Sequence, residues 1–208
     1  MIELRVMPVG EYQTNCYLLV ETELGEGILV DPGDEAQKIL DWIGNISISR
    51  LLLTHGHPDH VGALQTVRES LRVKVGIHPA DAEAFSIQAD FELLHGDSFG
   101  MGDASIEVIH VPGHTPGSVA FKLIEVDGFH YALSGDAIFP GGPGHTETPE
   151  ALVMALESLA FTVFTWSDSV RLHPGHGAST TVGTERADFE TFKDKPLPPG
   201  LCGDVTWG

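Results

Sequence analysis

The sequence predicts an α/β fold in a single domain spanning residues 1–208. Short apolar runs suited to strands alternate with longer stretches whose apolar residues recur every three or four positions. Four of the strand-like runs lead directly into a tight turn bearing His or Asp, at 55–60, 114, 136 and 176. The 208 residues, 42% of them hydrophobic, suffice for one core, and no internal repeat divides the chain.

The elements follow in order. Ile2 to Val9 alternates apolar with polar residues, as a half-buried strand does. Thr14 to Val20 and Gly27 to Val30 are the next strands, joined by a hairpin-like connection over 21–26. A helix is expected from about Glu35 to Ile43, with Ile39, Leu40 and Ile43 as its stripe and Asp34 as its N-cap. Ile48 to Leu53 is a strand, and a helix runs from Asp59 or His60 to about Ser70. Val73 to Ile77 is a strand, and Pro79 to Phe85 a short helix with proline at its first position. Ser86 to Met101 is poorly patterned and reads as a surface excursion. Its aromatic and aliphatic residues are expected as satellite core, with a pocket lining as the alternative. Ser105 to Val111 is a strand. Val119 to Val126 and Phe129 to Ser134 form a hairpin about Asp127-Gly128. Phe139 to Thr148 is a Gly- and Pro-rich loop. Pro149 to Leu159 is a helix, Val170 to Leu172 a strand, and about Thr184 to Phe192 the last helix. Residues from about 194 to 208 read as a surface tail.

Thirty acidic residues face eleven basic ones, a formal charge of −19. Little basic charge is available to neutralise phosphate, so duplex nucleic acid is not expected as a partner, nor is an anionic membrane surface. No apolar run approaches 18 residues, and no basic stretch followed by an apolar one opens the chain, so the expectation is a cytoplasmic protein. Cys16 sits in an apolar strand as a buried thiol and Cys202 in the tail; they form neither a disulfide framework nor a CxxC site.

The densest chemistry lies in Thr54-His55-Gly56-His57-Pro58-Asp59-His60. Three imidazoles and a carboxylate occupy a strand-to-helix turn. His55 and His57 are two apart and point the same way in extended backbone. Asp59 and His60 lie beyond Pro58 and can turn toward a second point. Zinc and similar ions accept both donor types. His114, Asp136 and His176, each in a later turn, are joined to this set. Taken singly, His114 and Asp136 would read as turn or helix caps; beside the first motif they read as ligands.

These residues carry a family resemblance. The strings 54–60, Pro112-Gly113-His114-Thr115-Pro116-Gly117-Ser118, Ser134-Gly135-Asp136 and Pro174-Gly175-His176-Gly177 resemble the metallo-β-lactamase superfamily in order and spacing, over Ile2 to His176. The resemblance implies a four-layer αββα sandwich, two mixed β-sheets flanked by helices, with a dinuclear metal site at one edge. It assigns His55, His57 and His114 to one ion, Asp59, His60 and His176 to the other, and Asp136 as the bridge. The cofactors implied are two divalent ions, zinc first, with iron and manganese accepted by the same donors. The branch resembled is the glyoxalase II-like (hydroxyacylglutathione hydrolase-like) one, without its C-terminal helical domain, since only residues 177–208 follow His176. A metal-dependent hydrolase of a small ester or thioester is therefore expected, with Asp59 and Asp136 as its catalytic carboxylates. In that branch a basic residue is usual where this chain has His145 in Gly144-His145-Thr146-Glu147, which argues against glutathione itself.

Two readings from other classes stand beside it. A mononuclear iron persulfide dioxygenase would use His55, His114 and Asp136. A non-enzymatic, metal-dependent binding protein would need no open coordination position. A β-lactamase and a nuclease are also family chemistries, the nuclease disfavoured by the acidic surface. Tyr12 and His145 are the candidates for substrate contact or for support of the ligands, and His173 reads as a structural hydrogen bond. Self-association is left open.

Overall fold

The computed structural model describes residues 1–208. The strands are β1 (Ile2–Val9), β2 (Thr14–Glu21), β3 (Glu26–Val30), β4 (Ser47–Leu52), β5 (Lys74–Ile77), β6 (Phe91–Glu92), β7 (Ser98–Met101), β8 (Ala104–His110), β9 (Val119–Glu125), β10 (Gly128–Gly135), β11 (Ile138–Phe139), β12 (Gly142–Pro143), β13 (Arg171–Pro174) and β14 (Thr180–Thr181). The helices are α1 (Ala36–Ile43), α2 (Pro58–Val61), α3 (Leu64–Leu71), α4 (Pro79–Ala84), α5 (Pro149–Phe161) and α6 (Val182–Lys193). One six-stranded sheet runs β1-β2-β3-β4-β5-β6 and the other β14-β13-β10-β9-β8-β7, while β11 and β12 pair only with each other. Both sheets are mixed: β3, β4, β5 and β6 pair in parallel, as do β10 and β13, and the other pairs are antiparallel.

The period-two pattern of the strands decides the layers. Along β2, Tyr17 and Leu19 meet Ile106, Val108, Phe121 and Leu133 of the second sheet. Cys16, Leu18 and Val20 face the other way, toward Ile39, Ile43 and Val67 of α1 and α3. On the outer side of the second sheet, Leu152 and Leu159 of α5 and Phe189 and Phe192 of α6 pack with Ala120, Ala132 and Leu172. The result is helix, sheet, sheet, helix. Burial of α1 rests on Ile39 and Ile43, each contributing about 1.5–3 kcal/mol.

Several local expectations are corrected. Asp34 does not cap α1: the cap position is Glu35, in a left-handed conformation without a side-chain bond, and Asp34 instead accepts from the Glu35 N–H. The helix expected from 59 to 70 is two, α2 and α3, because Gly62 passes against the Gly33 carbonyl and Ala63 N–H donates to Pro32 O at 3.0 Å. The stretch 86–101 is not merely a surface excursion. It supplies β6 and β7, and Leu93 and Met101 join the core between the sheets, with Phe91 and Phe99 packed against it. The tail does not stay on the surface. Residues 194–200 are exposed, but Val205 and Trp207 are buried against α6, with Trp207 Nε1 donating to Glu185 at 2.9 Å. No helix is long and apolar enough to cross a membrane.

Candidate metal centre

All seven sequence-expected ligands meet at one end of the sandwich, beyond the ends of β4, β8, β10 and β13. A buried carboxylate that the sequence reading left out, Asp31, sets the first of them. It stands one residue past β3, beside the turn that leaves β4. Its Oδ1 accepts from Thr54 N–H at 2.8 Å and its Oδ2 from the Thr54 hydroxyl at 2.6 Å and His60 Nδ1 at 3.0 Å. The single hydroxyl proton of Thr54 is thereby committed, so its oxygen accepts from His55 Nδ1 at 3.0 Å. Two more imidazoles are held in the same way. His114 Nδ1 donates to the His145 carbonyl at 2.8 Å, and His176 Nδ1 to the Tyr12 carbonyl at 2.9 Å. An acceptor behind Nδ1 fixes the orientation of each ring and leaves Nε2 as the atom that faces the centre. His55, His60, His114 and His176 all present Nε2 to the centre; His57 presents Nδ1.

The facing atoms are close. His57 Nδ1 lies 3.1 Å from His55 Nε2 and 2.8 Å from His114 Nε2. His60 Nε2 lies 3.2 Å from His176 Nε2. His176 Nε2 is 3.1 Å from Asp59 Oδ2. Asp136 stands between the groups, with Oδ1 3.4 Å from His60 Nε2 and Oδ2 3.5 Å from His176 Nε2 and 3.7 Å from His114 Nε2. Asp136 Oδ1 is buried with no hydrogen-bond partner. These donors fit divalent ions and little else. Lone pairs of three neutral imidazoles at such distances repel, and one proton on His57 Nδ1 could satisfy a single neighbour at a time. A cation satisfies all three, and supplies the orphaned carboxylate oxygen too. Three sets of donors are close enough to share an ion: His55, His57 and His114; His55, His60 and Asp136; and Asp59, His60 and His176.

The charge distribution without ions divides the centre in two. Burial pushes the His55, His57 and His114 imidazoles down, so this side is neutral. Burial would also lower His60 and His176, but their bonds to carboxylates prevail. Asp136 and Asp31 raise His60 to about 10, and Asp136 and Asp59 raise His176 to about 9. For Asp59, burial is opposed by His176 and His60, which hold it at about 2. For Asp136 burial is the largest single effect and acts upward, but His176, His60 and His55 together outweigh it and hold the carboxyl well below the usual range. Both carboxylates remain ionised at neutral pH.

A second carboxylate missing from the sequence reading, Asp81 on α4, ties two ligand turns together. Fully buried, it accepts from Gly56 N–H at 2.9 Å, Thr115 hydroxyl at 2.7 Å and Gly117 N–H at 2.6 Å. Asp31 carried a signal, since it too is an acid ending a strand. Asp81 carried none, being one acid in a short helix whose packing partners are distant in sequence. The last ligand turn is held by Asn15, which donates to the Pro174 and Gly177 carbonyls, and by the Tyr17 hydroxyl on Pro174 O. The Thr14 hydroxyl donates to Asp59 Oδ2 at 3.2 Å.

Tyr12 and His145 are brought to the centre through their backbone carbonyls. The Tyr12 side chain is 72% exposed and borders a cavity of about 300 Å³ that also contains Asp59. His145 does not support Asp136 with its ring; its Nδ1 is 3.0 Å from Asp204 Oδ1, at the wall of a second cavity of about 310 Å³ bounded by His114 and Asp136. Phe85 packs edge-on to His57 with centroids 5.1 Å apart. His173 has the structural bond expected of it, to Ser179 Oγ at 2.9 Å.

Comparison with known proteins agrees with this architecture. Residues 9–176 match the family model described as Metallo-beta-lactamase superfamily. A hydroxyacylglutathione hydrolase, GloC, of Haemophilus influenzae is 31% identical, the alignment covering 89% of this chain and 95% of that protein. The probable metallo-hydrolase YqgX of Bacillus subtilis is 34% identical over 88% of this chain and 93% of its own. Among solved structures, TTHA1623 in a di-iron-bound form is 33% identical and superposes with a TM-score of 0.69, covering 88% of this chain and 96% of that one.

Proposed function

Since the chain belongs to the metallo-beta-lactamase superfamily, closely related to its glyoxalase II-like hydrolases, we propose that it is a two-ion hydrolase of a small ester or thioester. The chain is a metal-binding hydrolase of this fold. To this we add the number of ions, their identity and the substrate class. The observation that carries them is the completeness of the second donor set. Asp59, His60 and His176 converge on a point beside the first three histidines, as a second ion needs, and TTHA1623, 33% identical, was solved in a di-iron-bound form. This favours two ions over the one-iron dioxygenase reading.

In this reading His55, His57 and His114 would hold one ion and Asp59, His60 and His176 the other, with Asp136 available to both. Zinc is the first choice; the di-iron form of TTHA1623 keeps iron beside it. When bound, such ions lower the pKa of a water and polarise a carbonyl oxygen. The residues supply the rest. Asp59 and Asp136 stay ionised and offset the charge between the sites. Asp59 Oδ2, oriented by Thr14, faces the cavity edge and accepts a proton from a water placed there. Asp31, His145 O and Tyr12 O keep the imidazoles in one orientation. Neither cavity beside the centre presents a lysine to protonate a leaving group, and the His145 ring is turned to Asp204 and Glu147. A thiolate, which leaves without a strong acid, suits that absence.

The test is metal content followed by a hydrolase panel. Refolding with zinc, manganese or iron should give about two ions per chain, and fewer than about one would overturn the reading. The loaded protein should then cleave thioesters or esters in preference to a β-lactam or a phosphodiester. Asp136→Ala should abolish turnover and lower content at both sites, whereas His176→Ala should spare the first ion. Oxygen uptake with a persulfide, and no hydrolysis, would instead select the dioxygenase.

A further inference from the structure

The segment from Asp136 to His145 carries a ligand at one end and a ligand's acceptor at the other. Asp136 opens it, β11 and β12 fold it into a hairpin, and His145 closes it with the carbonyl that receives His114 Nδ1 at 2.8 Å. It is rich in glycine and proline, and β11 and β12 pair only with each other, so neither large sheet holds it by ladder bonds. Ordering such a segment costs conformational entropy that its own few bonds do not repay. Residues 203–207 supply the missing hold. Gly203 N–H donates to Thr146 O at 2.7 Å and Thr146 N–H to Gly203 O at 3.2 Å, next to His145. Trp207 N–H donates to Gly141 O at 2.8 Å, in the turn of the hairpin. Between these points the backbone of Gly142 lies so near Val205 O that a β-carbon there would stand 2.3 Å from it. Hairpin and strap together wall the cavity of about 310 Å³ beside His114 and Asp136. The strap has its own anchor. The Trp207 ring is buried, with its centroid 6.3, 5.5 and 5.5 Å from those of Phe164, Phe189 and Phe192. Its Nε1 donates to Glu185 Oε2 at 2.9 Å, and the same oxygen accepts from Gly141 N–H at 2.9 Å. Glu185 Oε1 accepts from the Thr180 hydroxyl. Gly141 is therefore gripped on both sides, its N–H by Glu185 and its carbonyl by Trp207.

We propose that residues 203–207 are a strap that sets the geometry of the centre, with Trp207 and Glu185 as positioning residues for the His114 imidazole and for the wall of the substrate cavity. The part that concerns the cavity rests on the hydrolase reading above; the part that concerns His114 rests on the donor set alone. Both residues act through others. They fix Gly141, Gly203 fixes Thr146, and the backbone between delivers the His145 carbonyl to His114 Nδ1. Asp204, inside the strap, adds a bond to His145 Nδ1 at 3.0 Å. When the acceptor behind a ligating imidazole drifts, the ring turns and Nε2 loses its aim. Glu185 is 1% exposed and its three donors are neutral. A carboxylate is costly to bury, and bonds to an ionised acceptor are strong enough to offset that cost only if all three donors stay in place. The same bonds that retain the carboxylate therefore hold the strap and the hairpin in one arrangement.

The experiment titrates cobalt(II) into the ion-free protein and its variants, following the visible spectrum as each donor set fills. It then measures kcat and KM of the zinc-loaded forms with the acetyl thioester of 2-hydroxyethanethiol. Trp207→Ala should lower cobalt affinity at the His55, His57 and His114 set about 10–100-fold while the Asp59, His60 and His176 set changes far less. At saturating zinc its KM should rise more than its kcat falls, because the cavity wall moves while the donors are refilled. Glu185→Ala should do the same. Glu185→Gln should restore both readouts: its amide oxygen still accepts from Gly141 and Trp207, and its amide N–H donates to the Thr180 hydroxyl. Trp207→Phe keeps the aromatic packing, loses only the Nε1–H bond, and should fall between parent and alanine. Ile43→Ala, in the opposite helical layer, lowers stability without touching the strap and should keep the parental spectrum and KM. Parental affinity and KM in the two alanine variants overturn the proposal. Should those variants not fold, Trp207→Phe decides, and parental affinity there overturns it. Equal losses at both donor sets, or the same losses in Ile43→Ala, would make the strap a support of the fold alone and overturn it too. A glutamine variant as impaired as the alanine one overturns the assignment to Glu185. If the zinc-loaded parent cleaves no thioester, the hydrolase reading fails, and the cobalt titration still decides the strap.

Discussion

The backbone of Gly175 passes so close to Asp136 that a β-carbon there would overlap Asp136 Oδ1 and stand 2.5 Å from His60 Cε1. The last ligand turn is thus seated directly on the carboxylate that faces both donor sets. Gly175 N–H is held by Gly135 O at 2.9 Å, and its own carbonyl accepts from Asn15 N–H at 2.7 Å, so the turn cannot easily retreat. Gly175→Ala should therefore displace Asp136 and His60 rather than the backbone. The expected cost is about 1–3 kcal/mol of stability, with a fall in metal content measured by elemental analysis. Retention of two ions at parental affinity would show that the turn yields.

Asp31 makes no contact with the expected positions of the ions, yet it sets two of the imidazoles. Asp31→Asn keeps the shape but removes the charge and one acceptor. Metal affinity should fall about 10–100-fold, read by competition with a chelator, and apo-protein stability by about 1–3 kcal/mol. An unchanged affinity would mean that Thr54 and packing alone orient His55 and His60.

Asp81 ties the turn of His55 and His57 to that of His114. Asp81→Ala would leave the Gly56 and Gly117 N–H groups buried without acceptors, costing about 1–3 kcal/mol for each. The loss of metal should fall on the His55, His57 and His114 set before the Asp59, His60 and His176 set. Cobalt substitution, followed by the visible spectrum as each site fills, distinguishes the two. Equal weakening at both sites would make Asp81 a support of the whole fold.

The pH dependence follows from the divided charge. His60 and His176 have folded values of about 10 and 9, above the ordinary 6.5. Raised values stabilise the ion-free protein fully below about 6.5, and that contribution is lost as pH climbs through 9 and 10. Asp59, held at about 2 against an ordinary 3.8, stabilises above 3.8 and loses its contribution as pH falls through 2. At pH 7.5 an ion entering the Asp59, His60 and His176 set must expel about two protons, whereas the neutral His55, His57 and His114 set releases none. Calorimetry in two buffers of different ionisation enthalpy counts the protons for each binding phase. Binding at the second set should strengthen with pH through 7 to 9; equal proton release in both phases would refute the division.

The sequence alone determined which donors are available to the centre. His55, His57, Asp59, His60, His114, Asp136 and His176 each follow a strand-like run within a few residues, and such runs can end at a common sheet edge. Local patterning also fixed most strands and helices, because period-two and helical spacing are properties of short windows. Tertiary structure decided what depends on neighbours distant in the chain. It broke the expected 59–70 helix at Gly62, where the loop at Gly33 crosses it. It drew 91–101 into the sheets and the end of the tail into the core. It gave Asp31 and Asp81 their roles, since a buried carboxylate is defined by the donors brought to it from other elements. It also turned Tyr12 and His145 from side-chain candidates into backbone acceptors, because the direction of a carbonyl is set by packing and leaves no mark on residue type.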